Sequence, residues 1–191
     1  MAEELAILPF ASAQAWEAWL DAHHTTAPGL WLKIAKKDTG IDSLTYAEAL
    51  DVALCFGWID GQKAKFDESY WLQRFTPRRK QSKWSQINRA KATALMAAGK
   101  LRPAGLREVE AAQQDGRWAD AYAAQSKIDV PEDFQAALDA HPTAQAFFDG
   151  LNRVNRYAFL YRIQAVKKAE TRQRKIDQFI QMLAEHKQIH D

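Results

Sequence analysis

The 191-residue chain has one cysteine, three methionines, eight glycines and six prolines, and no apolar run near the roughly 18 residues of a membrane span. One cysteine, Cys55, makes no internal disulfide, which fits a reducing compartment. Five histidines, at 23, 24, 141, 186 and 190, show no metal-ligand spacing, and one thiol does not complete a zinc set. Glycine-rich phosphate loops, dinucleotide fingerprints and nucleophile elbows are all missing. Met1-Ala2-Glu3-Glu4 is acidic, without the basic start and apolar stretch of an export signal, so the expected location is cytoplasmic, with no membrane insertion.

The chain is instead rich in large apolar groups: 47% hydrophobic, with seven Trp, nine Phe and five Tyr. That composition excludes disorder and is enough to bury a core. A formal net charge of +2 hides alternating blocks: −6 over residues 1–60, +9 over 61–103, −6 over 104–151 and +5 over 152–191. Such blocks either attract one another across the fold or leave a basic surface for an anion, a nucleotide or a nucleic-acid backbone.

Periodicity gives the elements. Ser12 caps an expected helix over 13–24, and Leu30, Leu32 and Ile34 alternate as a strand. Thr45-Tyr46-Ala47-Glu48 is a capping box for a helix to about Phe56, which Gly57 can end in the left-handed conformation. Extended segments over 58–66 and 69–76 follow, turning at Asp67-Glu68. In the second, Tyr70, Leu72 and Arg74 face one side, and Trp71, Gln73 and Phe75 the other. From Ser82 the pattern is helical, with Ser82 expected to cap the next helix and Gly99 to end it. Pro103 opens another helix, which Asp115-Gly116 closes, and residues 117–131 read as a weakly patterned joint. Helices start at Pro131 and Pro142, and two longer ones are expected over 153–168 and 171–186. The expected fold is α+β: a small antiparallel sheet with helices over residues 1–127, followed by a helical module over 128–191.

The stretch from Cys55 to Asn88 is the candidate site. A strand ends in Arg74-Phe75-Thr76-Pro77-Arg78-Arg79, and a helix begins a few residues later. Free N–H groups in a first helical turn favour an anion, and arginine adds planar bidentate donors that match phosphate or carboxylate. Arg74, Arg78 and Arg79 would supply charge. Thr76, Ser82, Ser85 and Asn88 would supply polar groups, and Trp58 or Trp84 an apolar wall. Asp60 is the candidate acid or base if the chain is an enzyme, although no second catalytic residue is evident. Tyr46 and Lys36-Lys37 could reach the same pocket. The same residues also have purely structural readings: Ser82 as a helix cap, Arg74 paired with Asp60 or Glu48, Trp84 in the core, and Cys55 as a buried inert thiol. The last helices carry Arg153, Arg156, Arg162, Lys167, Lys168, Arg172, Arg174 and Lys175 on what reads as the basic face of an amphipathic hairpin.

Four motifs together resemble the YdeI/OmpD-associated family of bacterial proteins: C-F-G-W-I-D-G (Cys55 to Gly61), R-F-T-P-R-R (Arg74 to Arg79), S-x-W-S-x-x-N (Ser82 to Asn88) and K-K-x-E-T-R-x-R-K-I (Lys167 to Ile176). The N-terminal half is also similar in architecture to the YjbR/CyaY-like group. The resemblance implies bacteriocin protection or envelope-stress resistance and no particular reaction. Its labels go with a periplasmic location, from which the expected cytoplasmic one departs. The function read from the residues is a non-catalytic binder of a small phosphate-bearing ligand, needing no cofactor or metal. The alternatives are nucleic-acid or acidic-partner binding through the basic surfaces, and an enzyme using Asp60 on an anionic substrate.

Overall fold

A computed structural model describes residues 4–123 and 128–190. The chain forms two compact units, Met1–Ala121 and Tyr122–Asp191. The expected joint over 117–131 contains residues 124–127, which lie outside the described residues. The α+β class holds, with a helical C-terminal region. No helix among the described residues is long and apolar enough to cross a membrane.

The first unit runs β1 (Ile7–Pro9), α1 (Ala13–His23), β2 (Leu30–Ala35), α2 (Tyr46–Cys55), β3 (Trp58–Lys65), β4 (Tyr70–Pro77), α3 (Gln86–Ala97) and α4 (Pro103–Gln114). Its sheet has the order β1-β2-β4-β3, with β4 antiparallel to both neighbours. The short β1 joins β2 in parallel, so the sheet is mixed. Three residues ending in proline carry no readable alternation, so the sequence pattern does not mark this strand.

Alternation along β2 puts Leu30, Leu32 and Ile34 into the core, beside Phe75, Gln73 and Trp71 of β4. Ser12 caps α1 by accepting from Ala15 N–H at 3.2 Å. Thr45 and Glu48 form the expected reciprocal box at α2, with Thr45 N–H donating to Glu48 Oε2 at 2.7 Å. Gly57, at φ +72°, then turns the chain from α2 into β3. An aromatic cluster of Trp16, Trp19, Trp58 and Phe75 fills the centre, and Trp16 Nε1 donates to the Ala49 carbonyl at 3.1 Å.

One helix start differs from expectation. Ser85, not Ser82, caps α3, its Oγ accepting from Asn88 N–H at 3.0 Å. Ser82 is used three residues earlier, closing a tight turn with Arg79. Both serines satisfy the composition rule for a cap, and turn closure decides between them.

The second unit contains α5 (Glu132–Asp139), α6 (Pro142–Gly150), α7 (Arg153–Gln164) and α8 (Ala169–Ala184). Its core centres on Phe134 against Phe148 and Phe159 against Phe179, both edge-to-face. Arg172 clamps three of these helices: it grips the Asp133 carboxylate with two nitrogens and donates to the Ile163 carbonyl at 2.7 Å. Buried Asn155 binds Gln188 and the backbone of residues 189 and 190.

Candidate functional site

Asp60, on β3, is the centre of a polar junction between β3, α2 and α3. Its carboxylate accepts from the Tyr46 hydroxyl at 2.8 Å and lies 3.4 Å from the Asn88 amide nitrogen. Tyr46 is the first residue of α2 and is 37% exposed, whereas Asn88, in the first turn of α3, is buried. The capping chemistry of both helices therefore sets the geometry. The Thr45–Glu48 box and the Ser85 cap fix where each first turn begins, and the first turns bring a phenol and an amide to one carboxylate. An Asp–Tyr–Asn cluster of this kind can hold a polar ligand by hydrogen bonds, and its hydroxyl and carboxylate have the types needed for proton transfer.

Arg74 is not part of this junction. Asp60 pairs with Phe75 across the ladder, so Arg74, the neighbouring residue on β4, points to the opposite face of the sheet, beside its β2 partner Trp31. There it donates to Gln62 Oε1 at 3.3 Å. Thr76 lies on that same opposite face, packed at Gly29. The Arg74–Asp60 pairing is excluded by the same alternation. Trp58 is 1% exposed, with its indole N–H on the His24 carbonyl, so it belongs to the core and forms no site wall.

The remaining candidates gather on the segment joining β4 to α3. The guanidinium of Arg78 is buried and stacks 3.4 Å from the centre of the Trp84 ring, and Trp84 meets Trp118 edge-on at 4.8 Å. Arg78 Nη1 donates to the Lys83 carbonyl, and its backbone N–H to the Gly57 carbonyl. Burial lifts the carboxyl of Glu108 above the usual range, and the positive charges of Arg78, Arg117 and Arg107 pull it back only in part. Arg78 and Trp84 are thus the packed base of the loop. Arg79 and Ser82 close it with two reciprocal bonds, at 2.9 and 2.8 Å, and Arg117 Nη1 braces the Ser82 carbonyl at 2.9 Å. Above that base, the side chains of Arg79, Lys80 and Lys83 are exposed. The structure therefore separates the ten candidates. Asp60 and Asn88 form the polar junction, with Ser85 capping α3 beside them. Arg78, Arg79, Ser82 and Trp84 form the basic loop, Arg74 and Thr76 lie on the far sheet face, and Trp58 is in the core. Among the described residues, no group of three or more His, Cys, Asp or Glu side chains could hold a metal ion.

Three contributors take roles that the sequence pattern does not assign. Tyr46 was within reach of the stretch, but only the folded position of α2 shows that it meets Asp60. Arg117 is a lone basic residue after Asp115-Gly116, with no local signal of its reach to Ser82. Gln73, predicted to lie on the same side as Phe75, is 4% exposed and donates to the Gly61 and Gln62 carbonyls at a β-bulge.

Residues 8–108, more than half of the chain, match the family model described as Domain of unknown function (DUF8412). The chain belongs to this family. Residues 127–186 match a second model, described as Bacteriocin-protection, YdeI or OmpD-Associated, which covers the Lys167–Ile176 motif. In that motif Arg172 is a structural clamp and Thr171 is exposed. Neither match supports the likeness of the N-terminal half to the YjbR/CyaY-like group. No curated protein and no solved structure matches the chain.

Proposed function

We propose that the protein is a non-catalytic binder of a phosphate-bearing ligand, held by Arg79, Lys80 and Lys83. The observation behind this reading is a braced loop with three exposed cations. Its backbone is tied through Ser82, Arg117 and Arg78, so a ligand meets charges whose supporting chain is already ordered. Arg79 offers bidentate donors for phosphate, and the lysines add point charges.

The test compares the wild-type chain with an Arg79→Ala/Lys80→Ala/Lys83→Ala variant in calorimetric titrations with inorganic phosphate, sugar phosphates, nucleotides and short DNA, at two salt concentrations. Binding by wild type should weaken at least about tenfold in the variant, about 1.4 kcal/mol, with melting essentially unchanged. Equal binding by both proteins removes this loop as the site. An affinity seen with DNA alone, falling steeply with salt, replaces the small ligand by a nucleic-acid backbone.

A second reading rests on the Tyr46–Asp60 hydrogen bond: an enzyme in which this pair moves a proton on an anionic substrate. Turnover that Asp60→Asn abolishes while binding persists would establish it. The proposed location is the cytoplasm, on the single Cys55, and cell fractionation checks it. Bacteriocin protection, in the description of the C-terminal family, is proposed for this chain as a consequence of ligand capture; a deletion strain with unchanged bacteriocin sensitivity would remove it.

A further inference from the structure

A cleft lies at the β3–β4 hairpin, away from the loop at the start of α3. It has a volume of about 770 Å³ and is lined by Lys36, Lys63, Lys65, Phe66 and Trp71, with Asp67 and Glu68 in the turn. That size lies within the range of small-molecule sites. The lining combines cations with an aromatic ring. Lys63 Nζ sits 4.2 Å from the centre of the Trp71 ring, whereas the Phe66 ring turns to Lys33 on the opposite face of the sheet.

The charges in the cleft do not cancel. Asp67 is committed to its own turn, its Oδ1 accepting from the N–H groups of Ser69 and Tyr70 and its Oδ2 lying 3.9 Å from Lys33. Lys36 donates to the Asp67 backbone carbonyl, not to a carboxylate. Three lysines therefore face a cleft in which Glu68 is the remaining acid among the lining residues.

We propose that this cleft binds a nucleotide unit, with the planar base on Trp71 and the phosphate on Lys36, Lys63 and Lys65. An exposed cation–π contact is weaker than base stacking on an aromatic ring. A base thus displaces the Lys63 ammonium from Trp71, and the released ammonium meets the phosphate that arrives with the base. The shared chemistry belongs both to free nucleotides and to single-stranded nucleic acid.

The experiment titrates the full chain with nucleoside monophosphates, and with a labelled oligothymidylate of about eight nucleotides followed by fluorescence anisotropy. Saturable binding is expected, with a log–log salt slope of about −0.7 for the oligonucleotide as one phosphate is neutralised. Lys63→Ala/Lys65→Ala and Trp71→Leu should each weaken binding at least about fivefold, while Phe66→Ala, on the opposite sheet face, and the Arg79/Lys80/Lys83 variant leave it unchanged. Equal affinity for monophosphate and oligomer identifies a free nucleotide; an oligomer bound at least about tenfold more tightly identifies a strand. Absence of saturation by both probes at about 1 mM overturns the proposal, as does binding that survives the Lys63/Lys65 and Trp71 variants. A duplex bound as tightly as the single strand also overturns it, because paired bases do not stack on this ring.

Discussion

Gly105 sits against the last carbonyls of α2: a Cβ at this position would lie 2.4 Å from the Cys55 oxygen and 2.8 Å from that of Leu54. The first turn of α4 can approach the end of α2 only with hydrogen there. In an open helix, replacing glycine by alanine gains about 0.8–1 kcal/mol of propensity. Here backbone blocks the added methyl and overpacking wins, so Gly105→Ala should cost about 1–3 kcal/mol net. Melting should fall by roughly 2–4 °C for each kcal/mol. A variant that melts higher than wild type in calorimetry would refute the contact.

Cys55 is buried in the same region, and its thiol is pushed up from about 9 to about 11, chiefly by burial, with Glu17 and Asp51 adding to the shift. At pH 8 the thiolate fraction falls about 100-fold on that account, and only the thiolate attacks. Alkylation of native protein should be at least that much slower than after denaturation. Comparable rates in the two states would show that the thiol is not so protected.

The Arg172 clamp should make the second unit sensitive to acid. Hydrogen bonding to Arg172 holds the Asp133 carboxyl below its ordinary 3.8. Its contribution is therefore present above that pH and is lost as pH falls through the lower folded value. Thermal melts from pH 5 to pH 2 should show this loss in wild type and not in Asp133→Asn. Arg172→Lys should cost about 1–2 kcal/mol, because one ammonium does not reproduce a fork that serves a carboxylate and a carbonyl together. A lysine variant as stable as wild type would contradict the clamp.

Tyr46 and Asp60 should be energetically coupled. Tyr46→Phe removes the hydroxyl and Asp60→Asn the charge, and a double-mutant cycle in urea should give a coupling of about 0.5–1.5 kcal/mol. Strict additivity would mean that the two groups do not meet in solution.

The local devices were legible in sequence because each is written within a few residues. The Thr45–Glu48 box, the Gly57 reversal and the opposite facing of Arg74 and Phe75 all follow from short-range rules. The composition of the site was not, because it depends on pairing between distant segments. Arg74 and Asp60 are close in sequence space and chemically matched, yet the ladder register places them on opposite faces. Arg78 shows the same limit. A basic residue after a strand reads as solvated, but Arg78 is buried with its guanidinium against Trp84.

The β-bulge at Gly61–Gln62 gives Gln73 an influence beyond its own strand. By supplying hydrogen bonds to the two carbonyls of the bulge, it lets Asp60 and Lys63, three residues apart, face the same side. The aim of the Asp60 carboxylate is thus inherited from a neighbouring strand, and a glutamine that touches no ligand belongs with Tyr46 and Asn88 in the lineage of the site. Sequences that exchange Gln73 for an apolar residue must straighten β3 or leave two carbonyls unserved, and either course re-aims the polar junction and the lysine of the hairpin cleft together.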